Sequence, residues 1–125
     1  RIMRYDVVND FQMPDLVRYP GDDVFDRIWA IAVKYLPDGR LLVTRGDFME
    51  LLDDRGYVIR IYPLGTYGWS DIDVCPDGRQ CIVSNIWDGT LVRLDVETGE
   101  VTGRIDTGCK APNRCLAGVA VYPGA

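Results

Sequence analysis

The sequence predicts an all-β chain assembled from repeated four-stranded antiparallel units, and three observations predict it. Two Pro-Asp-Gly turns, Pro37–Gly39 and Pro76–Gly78, stand 39 residues apart. Each is followed by an arginine (Arg40, Arg79) and then by a β-rich run, Leu41–Thr44 or Cys81–Ser84. Ahead of each lies an apolar run led by a tryptophan, Trp29–Val33 or Trp69–Val74. Self-similarity at such a period is the mark of a repeat architecture. No segment sustains the 3.6-residue period of an amphipathic helix.

The elements follow in chain order. Ile2–Val7 is a short alternating strand closed by the turn Val8-Asn9-Asp10, and the rest of residues 1–26 supplies its partner. Residues 27–66 hold a complete unit: Trp29–Val33, the first Pro-Asp-Gly turn, Leu41–Thr44, Phe48–Leu52, the turn Asp53–Gly56, and Tyr57–Ile61. Residues 67–108 hold the next: Trp69–Val74, the second Pro-Asp-Gly turn, Cys81–Ser84, Leu91–Val96, the turn Glu97–Glu100, and Val101–Ile105. Residues 109–125 give a loop and then Leu116–Tyr122, which opens a further copy 47 residues after Trp69. Gly, Pro, Asn and Asp between short β-branched runs are the punctuation of hairpins. Lettering the strands of a unit A to D, the chain reads C-D, A-B-C-D, A-B-C-D, A, eleven strands in all.

Composition narrows the functional classes. The 125 residues carry 19 acids against 14 basic side chains, a net charge of −5. Such a chain is repelled by phosphates, so neither nucleic acid nor an anionic membrane surface is an expected partner. The longest apolar run, Ile28–Val33, has six residues, far short of the roughly 18 that span a bilayer as a helix. The first residue is Arg1, from which we expect a piece processed, trimmed or cut from something longer. The chain contains no histidine, which removes imidazole acid-base catalysis, a Ser-His-Asp triad and His-ligated metals from these residues.

The stretch Ile72–Val101, with Pro76-Asp77-Gly78, Ile82-Val83-Ser84-Asn85 and Asp95-Val96-Glu97-Thr98-Gly99-Glu100-Val101, resembles the blades of NHL, YVTN and SMP-30-like β-propellers. The resemblance extends over nearly the whole chain. It implies about three blades, an incomplete ring, since closed propellers need at least roughly four. It also implies that strand A lines the central channel and D the rim. B–C loops and D–A connections then emerge together on one face, and the Pro-Asp-Gly and Thr-Gly-Glu turns on the other.

On that implied loop face fall Arg45, Asp47, Asn85, Trp87 and Asp88 from B–C loops, and Tyr67 and Trp69 from a D–A connection. Aromatic faces beside carboxylates and amides suit a small polar ligand or glycan. Trp29 and Trp69, at matching repeat positions, are alternatively blade-to-blade packing residues. Asp71 and Asp73 are the only acids in an inner strand, on one face and about 7 Å apart. They suit a carboxylate pair or a Ca²⁺ site, or else bond neighbouring backbone. SMP-30 lactonases commonly place Asn or Asp six residues before the Pro of the turn, where this chain has Ser70 and Ala117. Neither is a good metal ligand, so no metal or other cofactor is predicted within these residues.

Four cysteines form two Cys-x5-Cys pairs, Cys75/Cys81 and Cys109/Cys115. The first flanks a hairpin turn and the second a loop, so each is a disulfide candidate. Two bridges would indicate an oxidising, extracellular or periplasmic setting; four reduced thiols are the alternative. Three functional readings follow: a secreted or cell-surface ligand-binding or interaction module, part of a propeller hydrolase or lactonase whose catalytic residues lie mostly elsewhere, or a partial propeller completed by further blades or another copy.

Overall fold

The computed structural model describes residues 1–19, 30–109 and 116–124. The described residues form ten strands and no helix. These are β1 (Ile2–Asp6), β2 (Phe11–Val17), β3 (Ala30–Tyr35), β4 (Leu41–Arg45), β5 (Phe48–Leu52), β6 (Val58–Pro63), β7 (Trp69–Val74), β8 (Gln80–Asn85), β9 (Thr90–Asp95) and β10 (Val101–Asp106). They pair in sequence order as three antiparallel sheets, β1-β2, β3-β4-β5-β6 and β7-β8-β9-β10. The expected all-β, propeller-like blade architecture is therefore present, and the ring is not closed.

Local chemistry explains the hairpins. In the A–B turns, Gly39 and Gly78 take φ of +90° and +68°, a region open to glycine at little cost. Asp38 Oδ1 accepts the Arg40 N–H, and Asp77 Oδ1 those of Arg79 and Gln80. The C–D turns use the same device: Asp53 Oδ1 accepts from Arg55 and Tyr57, and Asp95 Oδ1 from Glu97 and Thr98. Short Asp side chains satisfying turn amides are what make these tetrapeptides fold locally.

Packing then stacks the sheets. The larger core joins Leu42, Met49, Leu51 and Tyr62 of the middle sheet to Trp69, Ile72, Cys81, Val83, Val92 and Leu94 of the last. A smaller core sets Leu41, Val43 and Leu52, from the other face of the middle sheet, against Ile2, Leu16 and Val17. Because the middle sheet is covered on both faces, β4 is buried at every position. That is why Leu41-Leu42-Val43 reads as a continuous apolar run and not an alternation.

The eleventh expected strand is not formed: residues 116–124 run beside β7 without strand pairing. Asp71 Oδ2 accepts the Val119 N–H at 2.9 Å and Asp73 Oδ2 the Val121 N–H at 2.6 Å. Side-chain carboxylates thus occupy amides that a sheet ladder would otherwise use.

Candidate functional site on the loop face

The D–A connections are fastened to the B–C loops by the same bond in both complete units. The Leu64 N–H donates to Asp47 O and the Thr107 N–H to Gly89 O, each at 3.0 Å. In the last unit the Ile86 N–H adds a bond to Gly68 O at 2.8 Å. The loops are thereby held on a rigid scaffold.

Asn85 is the hub of this arrangement. Its amide is fully buried. Oδ1 accepts the N–H groups of Trp87 and Asp88 at 2.8 and 3.2 Å, and Nδ2 donates to Tyr67 O at 2.8 Å. Asp88 Oδ1 caps the Thr90 N–H, and Thr66 Oγ1 donates to Asp88 Oδ2. Gly68, at φ +105°, lies directly under the Trp87 ring: a Cβ there would fall 1.8 Å from Trp87 Cδ1. Asn85 thus joins the backbone of Tyr67 to that of Trp87, and the two aromatic residues are 52% and 43% exposed; Asp88 is half-buried.

Several of the expected ligand residues are buried and bonded within the protein. Trp69 has no exposed surface and packs in the larger core, its Nε1 donating to Thr66 O at 2.6 Å. Asn85 is spent on loop backbone. Arg45 is buried, its guanidinium 3.5 Å from the Tyr19 ring centroid and Nη1 3.4 Å from Glu50 Oε2. Tyr19 also donates to Glu50, and burial, with Glu50 beside it, pushes its phenol up to about 12. This cluster fixes the joint between the first two sheets and presents no charge to the loop face. Asp47 is half-buried and borders a separate shallow hollow of about 330 Å³ with Phe48, Ile61, Pro63 and Gly65. Trp29 lies outside the described residues.

The carboxylates of Asp71 and Asp73 are committed to backbone. Asp73 additionally takes Lys34 Nζ at 2.9 Å. The Val121 N–H and then Lys34 hold it below the ordinary carboxylate range, the opposite of what a general acid requires. Ser70 Oγ reaches Ser84 O and Leu116 O. Among the described residues, no three His, Cys, Asp or Glu side chains converge on a metal position.

The expected Cys75–Cys81 bridge is not formed; both are free thiols. Cys81 sits opposite Val74, and Cys75 lies one residue beyond β7, its N–H bonded to Gln80 O. The pair is therefore diagonal across the hairpin. Burial pushes the Cys81 thiol up to about 12 and raises that of Cys75. The Cys109–Cys115 pairing falls outside the described residues. Sequence reasoning missed Thr66 and Gly68; a glycine directly before Trp69 was the available sign of close backbone approach.

No protein-family model matches the chain, and no curated protein matches it. Solved structures do. Hydrazine synthase of Kuenenia stuttgartiensis is similar over 89% of this chain and 31% of its own, at TM-score 0.66 and 21% identity. A protein of unknown function from Bacteroides caccae is similar over 60% of this chain and 27% of its own, at TM-score 0.52 and 17% identity. A eukaryotic initiation factor is similar over 69% of this chain and 23% of its own, at TM-score 0.55 and 14% identity. The likeness is one of fold. The chain spans about a third or less of the length of each.

Proposed function

We propose that this chain is part of an NHL, YVTN or SMP-30-like β-propeller, acting as a secreted or cell-surface module that binds a small polar ligand or glycan on its loop face. The observation that carries the reading is the exposure of Tyr67 and Trp87 on two loops that Asn85 joins, with Trp87 lying over Gly68. Flat aromatic surface on loops that need no reordering gives a sugar ring an apolar platform, and Asp88 offers an acceptor for its hydroxyls. A screen on immobilised glycans, followed by titration with the best candidate, tests it. Trp87→Ala is expected to weaken binding at least tenfold, with the β-sheet circular dichroism unchanged. Undiminished binding by Trp87→Ala and Tyr67→Ala would move the site elsewhere.

A second reading, completion of the ring by further blades or another copy, has its own observation. Val33 and Tyr35 pair with Val43 and Leu41, so they share the face that the first sheet covers with only two strands. They are 51% and 59% exposed, apolar surface that a further pair of strands would remove from water. Sedimentation of the purified chain checks for self-association. The hydrolase reading has less support, because Ser70 at the family's metal position spends its hydroxyl on Ser84 and Leu116. A melting shift with Ca²⁺ would revive it.

A further inference from the structure

We infer that Asp71 and Asp73 form a clasp that docks the extended backbone of residues 116–124 onto β7, and that the negative charge of this pair decides whether the segment stays attached. The spacings match. The two acids are two residues apart on one face of a strand, and the amides they accept, Val119 and Val121, are two residues apart in the facing segment. N–H groups at that separation point the same way only in an extended chain, so the acids select conformation as well as register. Ser70 Oγ, donating to Leu116 O at 3.4 Å, adds a third point upstream.

Each carboxylate is itself held in place. The other oxygen of each accepts the N–H of the next residue, Ile72 or Val74, at 2.9 Å. Asp73 Oδ1 also meets Lys34 Nζ from β3. Thus Asp73 ties together the inner strand of the preceding unit, its own strand and the following segment. The corresponding positions 39 residues earlier are Ala32 and Lys34, so the acid pair is particular to this joint.

Charge matters because an N–H bond to a carboxylate is roughly twice as strong as one to a neutral acceptor. Among the described residues, the titratable groups beside Asp73 are Lys34 from β3, Asp71 on its own strand and the Cys75 thiol just beyond it. Across from the pair, β8 brings Ile82 and Ser84, neither of which titrates; the facing segment contributes amides. Asp73 is lowered by the Val121 N–H first and by Lys34 second. A lowered carboxylate contributes fully above its unfolded value, about 3.9, and loses that contribution as pH falls through the folded value. The Asp73 half of the clasp is therefore closed at neutral pH and opened by acid.

Hydrogen exchange of individual amides in the intact 125-residue chain tests this, with Val83 and Leu94 in the larger core as internal references. At pH 7, Val119 and Val121 should be protected in the wild type. Asp73→Asn should lower protection at Val121 by about tenfold, and Asp71→Asn with Asp73→Asn should free both amides while the references hold. Unprotected Val119 and Val121 in the wild type, or unchanged protection in the double variant, would overturn the proposal. Should the double variant loosen the references too, Lys34→Met decides. It leaves both N–H bonds but removes the cation, so acid release of Val121 should move to higher pH; an unmoved midpoint overturns the clasp.

Discussion

Asn85 has no exposed surface, yet its one amide group joins a B–C loop to a D–A connection through hydrogen bonds in both directions. Truncation strands the Trp87 and Asp88 N–H groups and the Tyr67 carbonyl around a void. Buried polar groups left unpaired cost about 1–3 kcal/mol each, so Asn85→Ala should lose about 2–4 kcal/mol in urea unfolding. Asn85→Asp keeps the acceptor for Trp87 and Asp88 but loses the donor to Tyr67, and should cost less. At this scale the sequence was half legible. It placed Asn85, Trp87 and Asp88 on one loop, but the residue type alone did not separate an amide that meets ligand from one that holds a loop. Trp69 and Trp87 divide in the same way. Both are tryptophans near loops; one fills the core because its strand faces the middle sheet, and the other lies over Gly68 on a loop and stays 43% exposed.

Among elements, the hairpins were the most legible, since their turns are settled by residues within a few positions of one another. Asp95 illustrates how much one turn acid does. Arg79, followed by the turn amides of Thr98 and Glu97, holds its carboxyl at about 2. Because the folded value is lowered, the stabilisation it confers is complete above its unfolded value, about 3.9, and is lost as pH falls toward 2. Asp95→Asn should therefore flatten that part of the acid-unfolding curve, as followed by circular dichroism between pH 4 and pH 2. Gly89 tests the loop fastening. It has φ +72°, and a Cβ would lie 2.2 Å from the Cys109 carbonyl oxygen, so Gly89→Ala must push the 107–109 connection off its loop. Faster exchange of the Thr107 amide is the expected reading. Leu116–Tyr122 was the least legible element. Its pattern reads as a strand, but pairing depends on a neighbour, and here β7 meets it with carboxylates.

For the molecule as a whole, burial of the middle sheet on both faces is the main source of cohesion. Leu51 and Leu52 are adjacent, both essentially unexposed, and point to opposite cores. Leu-to-Ala changes in cores cost about 2–5 kcal/mol, depending on how far the site can collapse. Leu51→Ala should lie toward the upper end, because two four-stranded sheets hold its cavity open. Leu52→Ala should lie lower, since β1-β2 can settle onto it. Denaturant midpoints of the two variants check the order. The cross-unit pair Arg40–Glu97 is solvent-exposed and contributes about 0–1 kcal/mol.

The amino-acid sequence by itself determined ten of the eleven expected strands, the turns, the repeat and the antiparallel order within each unit, because each of these rests on interactions among residues close in the chain. Tertiary structure alone decided which tryptophan is buried, that Arg45 spends its charge on Glu50, that Cys75 and Cys81 stay apart as thiols, and that Asp71 and Asp73 hold the segment after them. Those outcomes depend on which face of one sheet meets the next, and side chains brought together by sheet stacking carry no mark of it in their local spacing.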